Sequence, residues 1–318
     1  MSGSLPSSQA LLVLPRLCVQ NANAISSPCT HGFVAMSSLL GLMWALERKL
    51  ADRWPLGLDS VGVVCHRHEE QTAGERRQRS FCLTRNPIDK DGSTAAIVEE
   101  GRIHLEITLV FGVSGGIVDE DETRRQACAD EIADVLGAMR LAGGVFLPTV
   151  RSWRTRPRLH VLPQQDDAAA QLFTRLRRQW LPGFALVLRD DLLQQRLQTL
   201  QQSLAGTTLL DAWLDLSRIN WSPGTDADGE WVHDRKEGWI VPIPVGYGAL
   251  TREPITGVAN ARDPGTPLQF VESLYGIGQW LSPHRISSVW HLLWYAHTDH
   301  ALGTYRVHND YAAALPQN

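Results

Sequence analysis

Residues 10–50 read ALLVLPRLCVQNANAISSPCTHGFVAMSSLLGLMWALERKL, and this stretch determines how the first half of the chain folds. Residues 10–19 are rich in leucine and valine, which is typical of a buried strand. The polar residues 20–28 predict an uncharged loop. Residues 33–50 predict a helix with Thr30 as its N-cap. The apolar face of that helix comprises Leu39, Leu42, Met43 and Leu46.

The segments that follow extend this beginning into a regular pattern. They predict two strands, a helix and a last strand, at residues 60–66, 103–113, 119–140 and 145–150. The resulting order β-α-β-β-α-β predicts an α+β fold with a ferredoxin-like domain over residues 1–150. Residues 68–102 are charged and contain Asn86-Pro87 and Asp91-Gly92, which indicates an inserted hairpin.

The second half, residues 151–318, is predicted to be a helix-rich, mixed α/β region that packs on the first domain. We expect it to be rich in helix between residues 167 and 219, with a break at Leu181-Pro182-Gly183. Residues 231–249 predict strands. Residues 282–297 predict a final helix that begins at Ser282-Pro283, with serine as N-cap and proline in the first turn.

Composition places the chain among folded proteins. It has 318 residues and a mass of 35.3 kDa, and 43% of its residues are hydrophobic, enough for a core and too many for a disordered chain. A net charge of −4 and a pI near 6.3 argue against a generically basic nucleic-acid coat. Only Lys49, Lys90 and Lys236 are lysines, so 27 of the 30 cations are arginines. Genome composition and a need for bidentate donors both account for this bias.

Cysteine usage and the N-terminus indicate a cytoplasmic protein. The five cysteines include no Cys-x-x-Cys pair, which favours reduced thiols over disulfides or a zinc site. The N-terminus has no cation before its apolar run at residues 10–14, so it lacks the layout of a signal peptide. That run is too short to span a bilayer, and the sequence contains no apolar run long enough to predict a membrane span.

The polar segment after the first strand is the first candidate site. Before Glu47, Arg16 is the only charged side chain and His31 the only histidine. Neutral amides and hydroxyls can read base edges or hold phosphates, and a helix N-terminus attracts anions. They also make ordinary turns and caps. The candidate residues are Gln20, Asn21, Asn23, Ser26 and Ser27.

Two further features could contact a polyanion. Gly143-Gly144 could let the backbone approach a phosphate, or could form a helix C-cap. Seven arginines against two aspartates give residues 151–178 a local charge of +5, with Trp153 among the arginines. Such a stretch suits single-stranded nucleic acid, or is a solvated surface. The cations of interest are Arg140, Arg151, Arg154 and, near the C-terminus, Arg285.

The histidines give weaker evidence for chemistry. Cys65, His66, His68 and Glu69 are close together, and His66 with His68 could share a metal if both lay on one strand face. No His-Glu-x-x-His motif, Walker loop, nucleophile elbow or dinucleotide fingerprint accompanies them. We therefore predict neither a metal site nor a cofactor, and no catalytic pair can be named.

The run LLVLPRLCVQNANAISSP, followed by THGF and GLMWALERKL, closely resembles the opening of the second Csy subunits of type I-F CRISPR surveillance complexes, which are Cas-five-like RAMP proteins. The β-α-β-β-α-β half, the glycine loop at 142–144 and the tryptophan-rich C-terminus are consistent with that family over the whole chain. Val34 stands where the family pattern leads us to expect proline, a departure that concerns only the local loop shape.

This resemblance implies a non-catalytic subunit that binds the 5′ handle of the CRISPR RNA. It also implies pairing with the large, Cas-eight-like Csy subunit, contact with the backbone Csy subunit and an indirect role in target DNA recognition; anti-CRISPR proteins could be further ligands. The polar segment would contact handle nucleotides, with the helix from about His31 directing its N-terminus at a phosphate. Gly143-Gly144 corresponds to the family's glycine-rich loop, and Arg16, Arg140, Arg151, Arg154 and Arg285 are assigned to RNA or partner contacts from their charge.

Two alternatives remain at the level of sequence. The first is a metal-independent RAMP endoribonuclease that processes CRISPR repeat RNA, with His31 or another histidine as general acid–base. The second is a scaffold that binds only proteins. Cleavage of repeat RNA would favour the first, and the absence of RNA crosslinks to residues 16–31 would favour the second.

Overall fold

The apolar run that begins at residue 10 forms a strand with neighbours on both edges.

The computed structural model describes residues 6–74, 78–85, 88, 91–94, 97–150, 152–223, 230–234, 238–259, 261 and 263–315. The elements of the first half are β1 (Ala10–Asn23), β2 (Ile25–Ser27), β3 (Thr30–His31), α1 (Met36–Leu50), β4 (Gly57–Glu70), β5 (Thr72–Ala73), β6 (Ser80–Phe81), β7 (Leu83–Arg85), β8 (Ile97–Glu99), β9 (Arg102–Ser114), α2 (Glu122–Gly137), β10 (Arg140–Leu141) and β11 (Gly144–Phe146).

The second half alternates short helices with strands. Its elements are β12 (Arg158–Val161), α3 (Asp166–Gln179), β13 (Phe184–Leu188), α4 (Asp190–Ser203), α5 (Leu209–Leu216), β14 (Trp221–Pro223), β15 (Trp231–His233), β16 (Trp239–Ala249), β17 (Val271–Leu281), β18 (Trp294–Asp299) and β19 (Thr304–Asn309). All three of its described α-helices lie within residues 166–216, which confirms the helix-rich stretch predicted there. The eight strands in the described part nevertheless contradict the expectation that the second half as a whole is rich in helix.

One antiparallel sheet of eleven strands runs through both halves. Its order is β10-β11-β1-β9-β4-β13-β17-β16-β19-β18, with β12 also paired to β1. A bridge between Val61 and Trp294 joins β4 to β18, so β4, β13, β17, β16, β19 and β18 form a closed circuit of ladders. Strands from both sides of residue 150 share this sheet, and the division of the chain there stays a prediction.

Alternate residues of β1 enter two different cores. Leu12 and Leu14 pack in a core with α1 and α2, whereas Leu11 and Val13 pack in a second core with α3. Both faces are covered, which explains the unbroken apolar run at this end of the strand. Burial of each leucine contributes roughly 1.5–3 kcal/mol.

The polar segment is more regular than its composition suggests. β1 continues to Asn23, and a short hairpin of β2 and β3 follows, so most of the predicted loop is strand. α1 begins at Met36, and its N-cap is Ala35 without a side-chain hydrogen bond. The prediction of Thr30 as N-cap and of a helix from about His31 is therefore wrong, because both residues pair in the hairpin.

Two elements of the second half also differ from prediction. Residues 184–188, FALVL, form β13 between α3 and α4, because each edge pairs with a neighbouring strand. The predicted final helix over 282–297 is absent. Two 3-10 turns, Pro283–Arg285 and Val289–His291, lead into β18 instead. Pairing of β18 with β19 and a hydrogen bond from Trp294 Nε1 to the Leu186 carbonyl (2.9 Å) outweigh the helical pattern.

Two short ladders, β5–β6 and β7–β8, lie between β4 and β9, where the inserted hairpin is predicted. Among the described residues, no helix has the length and apolar character needed to cross a bilayer.

Candidate nucleic-acid interface

The C-terminal end of β1 projects polar groups from the sheet. Asn21 lies in a β-bulge, with φ of 58°, in the left-handed region that asparagine tolerates better than most residues. Its N–H donates to His104 Nδ1 (3.2 Å), and its Oδ1 accepts from Gln71 Nε2 (2.8 Å). Gln71 also contacts His104 Nε2 at 2.7 Å. The bulge thus places Asn21 in an exposed network of polar side chains with Gln71 and His104.

Gln71 and His104 are polar residues of this site that sequence reasoning missed. They come from the end of β4 and the start of β9, some 50 and 83 positions from Asn21. Their proximity follows from the pairing of β4 with β9, which places Glu69 opposite His104 and so brings Gln71, two residues further on, to the same end of the sheet. No local sequence pattern indicates this contact. Arg102, on β9, belongs to the same end of the sheet; it pairs with Glu100 and reaches the Asn21 carbonyl at 3.5 Å.

The glycine pair belongs to this site as well. Ala142 and Gly143 have φ of 46° and 79° and form a two-residue turn between β10 and β11, of the type I′ class. The C-cap alternative is wrong, since α2 ends at Gly137. The Asn23 N–H donates to the Ala142 carbonyl (2.9 Å), and Gly144 lies so close that a Cβ there would be 2.7 Å from Ala22 Cα. The amide end of β1 and the glycine turn therefore form one surface.

Arg140 and Gln20 flank this turn. Both are exposed; Arg140 Nη1 donates to the Gly143 carbonyl (3.3 Å), and Gln20 pairs with Val145 across the β1–β11 ladder. Their side chains are placed to contact a ligand that crosses the turn.

The remaining polar residues of the segment hold the local backbone. Asn23 Oδ1 accepts from the Ile25 N–H (3.0 Å), and its Nδ2 donates to the Ile25 carbonyl (2.8 Å). The hydroxyls of Ser26 and Ser27 lie 2.8 and 2.6 Å from Thr30 Oγ1, and Ser27 is buried. These contacts are the turn chemistry that such residues commonly perform.

His31 lies at the rim of the hairpin. Its side chain is 62% exposed, and its Nδ1 is 3.0 Å from Glu70 Oε1. It also makes an edge contact with the ring of Phe81. The imidazole is accessible and has a carboxylate partner.

The predicted cations are dispersed. Arg16 lies at a second bulge of β1 and pairs with Glu106 (2.9 Å), with its side chain 28% exposed. Arg154 is exposed and stacks on Trp153 at 4.7 Å in the connection between β11 and β12. Arg285 is exposed on a turn that packs against α3. Arg151 lies outside the described residues.

His66, on β4, is held by contacts within the fold. His66 Nδ1 donates to the Pro182 carbonyl (2.7 Å), and its Nε2 lies 2.8 Å from Thr108 Oγ1. Burial lowers the pKa of His66, so the ring is held neutral. Within the part of the chain that the structure describes, no three potential ligands are grouped to hold a metal ion.

Comparison with known proteins identifies relatives along most of the chain. The family model for "CRISPR-associated protein (Cas_Csy2)" matches residues 12–307. A protein named "CRISPR-associated protein Csy2" from Pseudomonas aeruginosa (strain UCBPP-PA14) is 47% identical over 316 residues, which cover 95% of this chain and 96% of that protein.

A malonyl-acyl-carrier-protein O-methyltransferase from Halorhodospira halophila (strain DSM 244 / SL1) is 26% identical over 282 residues, or 80% of this chain and 88% of that protein. Identity at that level does not carry a methyltransferase activity to this chain. The family model and the 47% identical relative confirm the resemblance drawn from residues 11–50, and the chain belongs to the Csy2 family of CRISPR-associated proteins.

Proposed function

We propose that the chain is a non-catalytic, cytoplasmic subunit of a type I-F CRISPR surveillance complex and that it binds the 5′ handle of the CRISPR RNA. In this proposal it pairs with the large Csy subunit, contacts the backbone Csy subunit and helps to present target DNA. Family membership supports a role in CRISPR defence, and the polar surface at the end of β1 supports RNA as the ligand.

The first half is proposed to be a ferredoxin-like RAMP domain. Its strands are ordered β11-β1-β9-β4, and both of its helices pack in one core. Many RNA-binding proteins of this architecture stack bases on the open face of the sheet. Here α3 covers that face with Leu172, Phe173 and Leu176. RNA is therefore directed to the strand ends, where Asn21, Gln71 and His104 are gathered.

An exposed apolar patch supports the proposal that the chain works inside an assembly. Ile219, Trp221 and Trp231, between α5 and β15, are each more than half exposed. Patches of this kind mark interaction sites in soluble proteins. We assign this patch to a protein partner, with the large subunit as first candidate.

The RNA assignment is tested at the amide end of β1. Asn21→Gly combined with Gln20→Ala removes two exposed amides at this end of β1, and glycine retains the left-handed conformation at position 21. We expect roughly a tenfold loss of affinity for handle RNA, from hydrogen bonds of about 0.5–1.5 kcal/mol each. Filter binding with the full chain measures it. Gln202→Ala, on the exposed side of α4, is the matched control. Unchanged affinity in the double variant would reject the assignment.

The non-catalytic proposal has a separate test. Purified protein is incubated with CRISPR repeat RNA, and we expect the RNA to stay intact on a denaturing gel. Cleavage that disappears in His31→Ala would replace this proposal by the endoribonuclease alternative.

A further inference from the structure

A cavity of about 500 Å³ opens beside the proposed RNA surface. It lies between the end of β4, the residues before α1 and the start of β16. Its lining includes the aromatic residues Phe33, Trp239 and Trp280 and the polar residues Ser26, His68 and Glu70. None of the roles proposed above uses this cavity.

The walls present flat aromatic faces. Phe33 and Trp280 meet edge to face at 4.8 Å, and Trp239 lies 5.9 Å from Trp280. His68 is tilted over Trp239 at 6.3 Å. Trp280 is buried, at 8% exposure, but Trp239 remains 46% exposed. A half-exposed indole at the edge of a cavity is available for stacking with a planar group.

The rim of the cavity is polar and carries both signs of charge, because Arg79 lines it together with Glu69 and Glu70. Glu70 contacts His31 at 3.0 Å, and Glu69 pairs with Arg67 at 2.8 Å. The carboxylates can also accept a hydrogen bond from an amino group. The mixed charges of the rim and the aromatic walls therefore suit a neutral, planar ligand with an N–H donor.

The cavity is continuous with the polar end of β1. Ser26 and His31 belong both to its lining and to the segment proposed to contact RNA. Glu70 precedes Gln71, whose side chain donates to Asn21. A single strand lying along Asn21 and Gln71 can thus place one base in the cavity without leaving the surface.

We propose that this cavity binds one unstacked nucleobase of single-stranded RNA, stacked on Trp239, with its exocyclic amino group directed to the Glu70 rim. This inference rests on the proposed RNA-binding function. Adenine, guanine and cytosine carry the required amino group, and uracil does not. Stacking on an aromatic side chain is the usual way in which proteins hold splayed bases.

The test uses the full chain, handle RNA and a series of aromatic variants. Trp239→Ala should lower the affinity about tenfold or more, whereas Trp239→Phe should retain most of it. Tyr247→Ala is the matched control, since Tyr247 is an exposed aromatic residue of the same strand, at its other end. Thermal melting of each variant verifies that it is folded.

A second measurement changes the RNA and uses the wild-type protein. Photocrosslinking identifies the nucleotide next to Trp239, and an abasic residue is then placed at that position. We expect the abasic RNA to bind wild-type protein as weakly as intact RNA binds Trp239→Ala, and to be insensitive to that substitution. Uracil at the same position should give an intermediate affinity.

The outcomes separate this inference from the function on which it rests. If the amide double variant weakens RNA binding but Trp239→Ala and the abasic RNA do not, the base pocket is rejected and the RNA function stands. If Trp239→Ala disrupts only assembly with another subunit, the cavity binds a protein side chain and the inference is also rejected. If wild-type protein binds no handle RNA, both proposals fail.

Discussion

The two ends of β1 differ in the regularity of their pairing and in their surroundings. At residues 10–13 the strand is paired on both edges, by β9 and β12, and every side chain from residue 10 to residue 14 is buried. At residues 20–23 a bulge interrupts the pairing: β11 pairs with Gln20, β9 pairs with Ala22 and Asn23, and Gln20, Asn21 and Asn23 are exposed. Pairing thus determines the path of the backbone, while the helices that cover the sheet decide which end forms the core.

The buried end should carry most of the stability. Leu12 is fully buried in the core with α1 and α2. Leu12→Ala should lower the free energy of unfolding by about 2–5 kcal/mol, through lost burial and the cavity left behind. Urea denaturation measures this change. Gln20→Ala, at the exposed end, should stay within about 0.5 kcal/mol of wild type. Equal losses in the two variants would refute the contrast between the ends.

The amide end should be sensitive to backbone packing. Gly144→Ala places a methyl group 2.7 Å from Ala22 Cα, so the glycine turn must shift away from β1. We expect a loss of about 1–3 kcal/mol in stability and weaker RNA binding. Gly143→Asn is the control, because that position is open and asparagine suits a type I′ turn. If both variants behaved like wild type, the turn would have no role in shaping the surface.

The bulge at Arg16, between the two ends of β1, should have the smallest effect on stability, and this effect should depend on pH. Thr108 Oγ1 accepts from the Arg16 N–H (3.2 Å) and contacts His66, whose pKa is lowered mainly by burial. The folded state disfavours the protonated ring. The contribution of His66 to the free energy of unfolding is therefore fully present above the ordinary histidine pKa of about 6.5 and falls as the pH drops below it.

His66→Gln should therefore flatten the decline in unfolding free energy below about pH 6.5. Urea denaturation at a series of pH values measures the slope, with His233→Gln as a control on an exposed hairpin. A slope in His66→Gln identical to that of wild type would show that the ring does not couple the bulge to pH.

Local patterns predicted the main strands and helices of the first half of the fold. The apolar runs at 10–19, 60–66 and 103–113 lie within β1, β4 and β9, because strands covered on both faces need continuous apolar residues. The predicted helix at 33–50 contains α1, but its start was misplaced because β2 and β3 pair with each other. The helix predicted over residues 282–297 from Ser282-Pro283 is absent, and pairing with β19 makes Trp294 part of a strand instead.

The sequence by itself determined the family, the main β-α-β-β-α-β order up to residue 150 and the candidate amides Gln20, Asn21 and Asn23, since each depends on residues close together in the chain. Only the tertiary structure decided that Gly144 lies against Ala22, that Gln71 and His104 join Asn21, and that Trp239 and Phe33 face one cavity. These contacts join residues 50 to about 200 positions apart, and their geometry follows from strand register and packing, which no local pattern records.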